Sequence, residues 1–522
     1  MLALVIKSPL PEQNEAILQR CVALLRSDLP PADALDVLRV AELTLQNEGT
    51  SETARTNLSH AALALFPSSD KNLNRELARV LAYLQESRAI DKLVSQLQSS
   101  TEPADQIHYA YCLRFIPDGW KWDQQAVLFE AYNRLAGLEG GASFRGYLEN
   151  LTRDYLASQG DATRQALIQD AADFPMPARL MLEGLNDEQA TAFAADLIEL
   201  DQKLPEAKLS DAERTQLAAA VVDVLGRSNA DGTQDYLRKL FEEQPDRREG
   251  VARALARHGD AESFQALVAT LQFGDKATLQ EVIRGLLKID AKPEKPQDVR
   301  ALIIAGLRLD KNGRKEAIRL LNKWTGQEVA ETTDLGPFQM WFAEEHPDLP
   351  AAELPKASKK SKWGYDQILK FVTESPDGLH GDAERGMAIF EKGQCIKCHR
   401  FGPRGEGLGP DLSTVRKRFQ RKQIVESLFY PSAVISDQYQ SVSIIDNDGL
   451  TYSGLAVDQG DSYVVLTTDG KKTVVKKSNI DEILPSNTSG MPEGLLDELT
   501  LAEIADLFAY LESTPPDVAA GK

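Results

Sequence analysis

Residues 381–399 read GDAERGMAIFEKGQCIKCH, and the last five carry the reading. Cys395 and Cys398 stand three positions apart and His399 follows directly, which is the C-x-x-C-H spacing of a c-type haem attachment site. Two thiols so placed can each add across one of the two vinyl groups on a haem edge. The next residue, a histidine, is then held under the iron as proximal ligand. With 4 Cys and 6 His in 522 residues, chance would produce the pattern in roughly one such chain in 3,000. A thioredoxin-type dithiol would need a βαβ setting, and none is legible. A zinc site would need a second ligand pair, and the other cysteines, Cys21 and Cys112, lie far off in sequence. The expectation is one covalently attached haem c, anchored by Cys395 and Cys398 with His399 on the iron.

Outward from the motif, Asp382 to Glu391 reads as a helix, a Gly-rich loop runs to Pro410, and a second helix covers about Gln420 to Phe429. Ser441 to Leu484 is rich in Val, Ile, Thr and Tyr. Asp448-Gly449, Asp469-Gly470 and Gln459-Gly460-Asp461 punctuate it as hairpin turns, which predicts about four short antiparallel strands. Thr500, with Glu503 three positions on, predicts a capped final helix reaching Leu511.

Upstream, from about residue 12 to 325, the pattern is almost entirely helical. Leu77, Val80, Leu81 and Leu84 fall at i, i+3, i+4, i+7, and Leu279, Val282, Ile283, Leu286 and Leu287 repeat the stripe, as do Phe264, Leu267, Val268 and Leu271. His258-Gly259-Asp260, Gly274-Asp275 and Asp310-Lys-Asn-Gly313 separate them as short breaks. Paired helices stacked side by side, a HEAT-like α-solenoid, are expected over residues 1–327. Residues 328–362, with Pro337, Pro347, Pro350, Pro355 and the run Lys356–Lys362, read as a linker that Trp324, Trp341 and Trp363 pin to the end of the solenoid. Residues 363–522 form the last domain, with the strands at about 441–484 as an insertion.

The stretches GDAERGMAIFEKGQCIKCH, GLGPDL, FYPSAVISDQY, SGMPEGLLDELT and EIADLFAYL, over about residues 380–513, resemble the Pirellula/Verrucomicrobium-type haem-binding domain. That domain is a class I-like cytochrome c with a β segment inserted before its methionine loop. The resemblance implies that Pro410, eleven positions after His399, offers its carbonyl to the proximal imidazole. It implies that Met491 is the sixth iron ligand, so His399 and Met491 are the metal ligands. Met387, His380 and an open sixth position remain rivals. It also implies that Gly386 and Phe390 cross the final helix at Leu507, Phe508, Tyr510 and Leu511. In that group the domain ends large exported proteins, often after HEAT-like helices. The resemblance carries no substrate.

The expected function is electron transfer between a periplasmic dehydrogenase-type redox partner and an acceptor, with the helical region as docking scaffold. No separate catalytic site is recognised. A haem sensor with a labile sixth ligand, and a cytochrome subunit of a dehydrogenase or peroxidase, are the alternatives. Haem attachment to this motif happens outside the cytoplasm, so the expected location is periplasmic. Met1 to Ile6 is apolar but shorter than a secretory leader needs and is followed by Lys7 and Pro9, so the start is misassigned, the chain is a fragment, or export uses a signal not legible here. A net charge of −20, from 59 basic against 79 acidic residues, disfavours nucleic-acid and anionic-membrane partners, and no apolar run is long enough for a membrane helix.

Other residues leave two readings open. The run Arg416-Lys-Arg-Phe-Gln-Arg-Lys422 is either a solvated helix face or a functional one, a docking face for an acidic redox partner or charge near the haem propionates. Lys471, Lys472, Lys476 and Lys477 read in the same way, or as charges that protect a strand edge. Cys21 and Cys112 read as buried thiols, with a disulfide between them open. His108 reads as a core histidine.

Overall fold

The computed structural model describes residues 11–47, 50–138, 143–354, 361–432, 440–466 and 471–515. The expected Asp469-Gly470 turn, Met1–Pro9, the basic run at 356–360 and the 433–439 part of FYPSAVISDQY lie outside them. The protein is mainly helical, with a small antiparallel sheet near its C-terminal end. It divides into two compact units, 1–233 and 234–522.

In the first unit, helices such as Pro11–Leu25, Pro31–Leu45, Glu52–Leu65 and Lys71–Tyr83 pack chiefly on helices close to them in sequence. The stripe Leu77, Val80 and Leu81 is fully buried, so the 3.6-residue period is the packing face. Cys21 and Cys112 are both free and buried, and His108 Nε2 donates to Arg75 O at 2.8 Å.

The second unit begins with helices of the same kind. Leu279, Val282, Ile283 and Leu286 are fully buried. The first helix used below is α1 (Arg248–His258), closed by Gly259 at φ 64° in the left-handed region. The expected break at Asp310–Gly313 falls at Leu309–Asp310, and Lys311 to Gly313 already open the next helix: the Asp310 carboxylate accepts from the Asn312 and Gly313 amides at 2.9 Å. The stretch expected as a linker contains a helix, Gly336–Glu345, with Phe338 and Phe342 buried. Trp324 is buried against Phe264. Trp363 points the other way from the expected pin: its indole N–H reaches Leu496 O and Leu499 O at 3.0 and 3.2 Å, just before the final helix.

Three more helices frame the C-terminal part: α2 (Ala383–Lys392), α3 (Arg421–Phe429) and α4 (Leu501–Glu512). Thr500 and Glu503 cap α4 reciprocally, as their spacing predicts. Their core includes Ile368, Ile389, Phe390, Phe401, Val425, Leu428, Leu507, Phe508 and Leu511. A two-residue hairpin, β1 (Arg400–Phe401) with β2 (Arg404–Gly405), sits inside the Gly-rich loop. The sheet has five strands rather than about four. They are β3 (Gln440–Asp446), β4 (Thr451–Asp458), β5 (Ser462–Leu466), β6 (Lys472–Lys476) and β7 (Ile480–Ser489), in the order β6-β5-β4-β3-β7. β4 pairs with β3 through its first half and with β5 through its second. Ile444, Val465 and Val475 form the sheet's own small core. The extra strand matters because β7 ends two residues before Met491.

Candidate functional site

The C-x-x-C-H stretch folds as one tight turn. α2 stops at Gly393, Gln394 takes a left-handed φ of 62°, and Cys395–Lys397 form a single 3₁₀ turn. The His399 amide donates to Cys395 O at 2.9 Å, so both thiols and the imidazole leave one short segment. The loop that follows wraps this turn through its main chain. Glu406 N donates to Ile396 O at 3.1 Å, Gly409 N to Cys398 O at 2.7 Å, and Leu412 N to Arg400 O at 2.8 Å. Two glycines make the wrap possible. A Cβ at Gly405, whose φ is 90°, would lie 2.1 Å from His399 O, and one at Gly409 would lie 3.1 Å from His399 Cε1.

His399 Nδ1 lies 2.8 Å from Pro410 O. A carbonyl oxygen only accepts, so Nδ1 carries the proton and Nε2 presents the lone pair of a neutral ring. Burial pushes the imidazole below its ordinary pKa, and the Pro410 contact offsets part of that. Both cysteines are free and half-buried. Burial pushes the Cys395 thiol up to about 11 and raises that of Cys398 as well.

Met491 follows β7 directly. Its amide donates to Ser489 Oγ at 3.1 Å, and Ser489 N donates to Ser432 Oγ at 3.0 Å. Its side chain, Met387, Cys395 and Ile396 all pack against the one core of the C-terminal part. His380 is exposed, with Nδ1 on Pro376 O at 2.9 Å, so it stands apart from this group. The expected crossing of α2 and α4 is present. A Cβ at Gly386 would lie 1.9 Å from Asp506 O and 2.7 Å from Tyr510 Cβ, while the Phe390 and Tyr510 rings stand 5.6 Å apart. Arg385 fastens the crossing on the outside, its Nε 2.8 Å from the Asp506 carboxylate. Spacing does not reveal that pair. Its one visible sign in the sequence is a lone Asp506 within the apolar run Ile504–Leu511.

The basic run is solvated over Arg416 to Phe419, but its last two residues turn into the chain. Arg421 makes a two-pronged contact with the Glu512 carboxylate at 2.6 and 2.7 Å, and its Nη1 also donates to Val372 O and Gly378 O. Lys422 Nζ donates to Phe273 O at 2.7 Å. On the sheet, Lys472 pairs with Glu406 at 3.2 Å and Lys477 with Asp458 at 2.7 Å.

The residues present fit a haem c by their chemistry. They supply two free thiols at C-x-x-C spacing, one imidazole with its lone pair fixed on Nε2, a methionine on the same core, and a glycine where any side chain would crowd the ring. No group of three His, Cys, Asp or Glu able to hold a bare metal ion occurs among the described residues. A haem needs none, because the porphyrin brings four of the iron's ligands. No described helix is long and apolar enough to cross a membrane. No family model and no curated protein matches the chain.

Proposed function

We propose that the chain is a monohaem c-type cytochrome, an electron carrier of the class I-like, Pirellula/Verrucomicrobium-type haem-binding kind, whose preceding helices form a HEAT-like solenoid. The observation that carries the reading is the 2.8 Å contact of His399 Nδ1 with Pro410 O beside two free thiols at C-x-x-C spacing. When bound, the haem supplies a one-electron ferric/ferrous step.

The protein's part is to hold and tune. Cys395 and Cys398 fix the haem edge. His399 gives its Nε2 lone pair to the iron, and the Pro410 carbonyl keeps the ring from turning and strengthens it as a donor. Met491 would supply a thioether to the iron, which would raise the potential relative to a second histidine. The core around Phe390, Phe401 and Phe508 keeps water out. The partner is a redox protein, a dehydrogenase on one side and an acceptor on the other, met in the periplasm where haem c is attached.

The test is an optical redox titration of the chain from a host that attaches haem c. The oxidised protein should show the weak charge-transfer band of methionine sulfur on iron and should cycle reversibly. Met491→Leu should abolish the band and lower the potential, and Met387→Leu should leave both unchanged. A sample with no haem absorbance would sink the proposal. A Met491 variant that keeps its band would move the sixth ligand elsewhere.

A further inference from the structure

The run Arg416–Lys422 puts five positive charges into seven residues of an acidic chain; Arg416 to Phe419 are exposed, yet groups of the run bond to the chain on two sides. On one side stands the helical segment at residues 245–273. Arg248, at the start of α1, donates from Nη1 to Arg418 O at 2.5 Å. Gln420 Nε2 donates to Pro245 O. Lys422 Nζ reaches Phe273 O at 2.7 Å and Glu249 at 3.4 Å. Arg248 is itself held from behind, with Nε on Phe241 O at 2.8 Å.

On the other side stands the loop around the C-x-x-C-H turn. Arg418 Nη2 donates to Asp411 O at 2.5 Å. Asp411 directly follows Pro410, whose carbonyl takes the ring proton of His399. Further along, the Asp411 carboxylate accepts from Ser413 N at 2.8 Å. The path Arg248–Arg418–Asp411–Pro410–His399 is therefore continuous, and each of its three non-covalent links is 2.8 Å or shorter.

We propose that Arg248 and Arg418 are positioning residues for the proximal imidazole. The helical segment holds the 416–422 bracket, the bracket holds the Asp411 peptide, and that peptide sets how strongly the Pro410 carbonyl draws on the His399 proton. The inference rests on the haem reading above and goes beyond it. Arg418, Arg421 and Lys422 of the basic run are spent within the chain, and the helices in front of the haem domain tune its iron.

The sign follows from donor strength. A strong Nδ1–H···O=C bond gives the ring imidazolate character, makes Nε2 a better donor and favours ferric iron, which lowers the potential. Loosening the bracket weakens that bond and raises the potential. Removing a positive charge near the iron acts in the opposite direction, so the informative variants keep the charge. Lysine retains it but lacks the planar fork that lets one guanidinium bond at fixed geometry.

The experiment compares midpoint potentials of wild type, Arg418→Lys, Arg248→Lys and Lys417→Gln, each with its intact mass and its methionine charge-transfer band recorded. Arg418→Lys should shift the potential upward. Arg248→Lys should shift it the same way by a smaller amount, with the band retained in both. Lys417→Gln, which loses an exposed charge whose side chain is not on the Arg248–Arg418–Asp411 path, should shift it downward. If Arg418→Lys does not accumulate as folded protein, Arg248→Lys tests the same path from its far end. Bracket variants at the wild-type potential, or below it, with band and haem mass intact would overturn the proposal. A wild-type chain without haem mass would instead overturn the haem reading, before any potential is measured.

Discussion

His108 in the first unit and His399 in the second each place a ring nitrogen 2.8 Å from a main-chain carbonyl, that of Arg75 and that of Pro410. Each also has a cysteine close by in sequence. Cys112 lies one helical turn after His108, its sulfur 3.6 Å from His108 Nε2, and it is only 1% exposed, with its thiol pushed up to about 12 by burial. Cys395 and Cys398 are half-buried and leave a turn in which the helix has already ended. The residue types and the imidazole-to-carbonyl distance are the same, so the backbone makes the difference. A regular helix puts its i, i+4 pair into its neighbours, where the pair serves packing. A broken helix end brings two thiols and an imidazole out of one short segment, where they can share a planar cofactor.

The same contrast runs through the glycines. In the first unit a Cβ at Gly146 would meet nothing within 4 Å, whereas one at Gly386 would lie 1.9 Å from the Asp506 carbonyl oxygen. Gly386→Val should therefore wreck the crossing of α2 and α4, costing about 3 kcal/mol or more, as read by denaturant unfolding of the second unit's signal. Near-wild-type stability there would rule out the close approach of the two helices.

Next in size is Arg421→Ala. It strands the half-buried Glu512 and unpairs the carbonyls of Val372 and Gly378. A loss of about 3 kcal/mol is expected, and Arg421→Lys should recover only part of it. A change under about 0.5 kcal/mol would return the basic run to the surface class.

In the first unit, Glu42 is half-buried beside Glu76. Burial and the like charge of Glu76 push it up to about 7. Because the folded value lies above the unfolded 4.5, the folded state holds a proton the unfolded chain has released. That contribution is complete below about pH 4.5 and is lost as pH rises through about 7. Glu42→Gln should flatten this slope and stabilise the protein at pH 8 by on the order of 1 kcal/mol. Parallel pH–stability curves for variant and wild type would contradict it. Smallest of all, Gly146→Ala in the first turn of Phe144–Ala157 should gain up to about 0.5 kcal/mol; a measurable loss would mean that the open space there is filled in solution.

What the sequence discloses follows the reach of each interaction. The helical stripes, the Thr500 cap and the Gly449 and Gly460 turns are local, so spacing alone reveals them, whereas the Pro410 contact with His399 is legible only through the resemblance. β7 is hidden because its alternation stops at Pro485 and continues through polar Ser486–Ser489. β1 and β2 are two residues each, too short to show a period. The helix at Gly336–Glu345 is disguised by Pro337, which in a first turn begins a helix rather than breaking one. The engagement of Arg416–Lys422 depends on residues more than 90 positions away, such as Glu512 and Arg248. Charge can be read from sequence, but the group that faces it cannot.

The central claim is that sulfur at positions 395 and 398 carries a tetrapyrrole. Top-down mass spectrometry of the chain recovered from its own cells decides it. One haem mass, retained after denaturation and localised to the fragment containing Cys395 and Cys398, is the predicted result. Two unmodified thiols in that fragment, with no added mass, would contradict it.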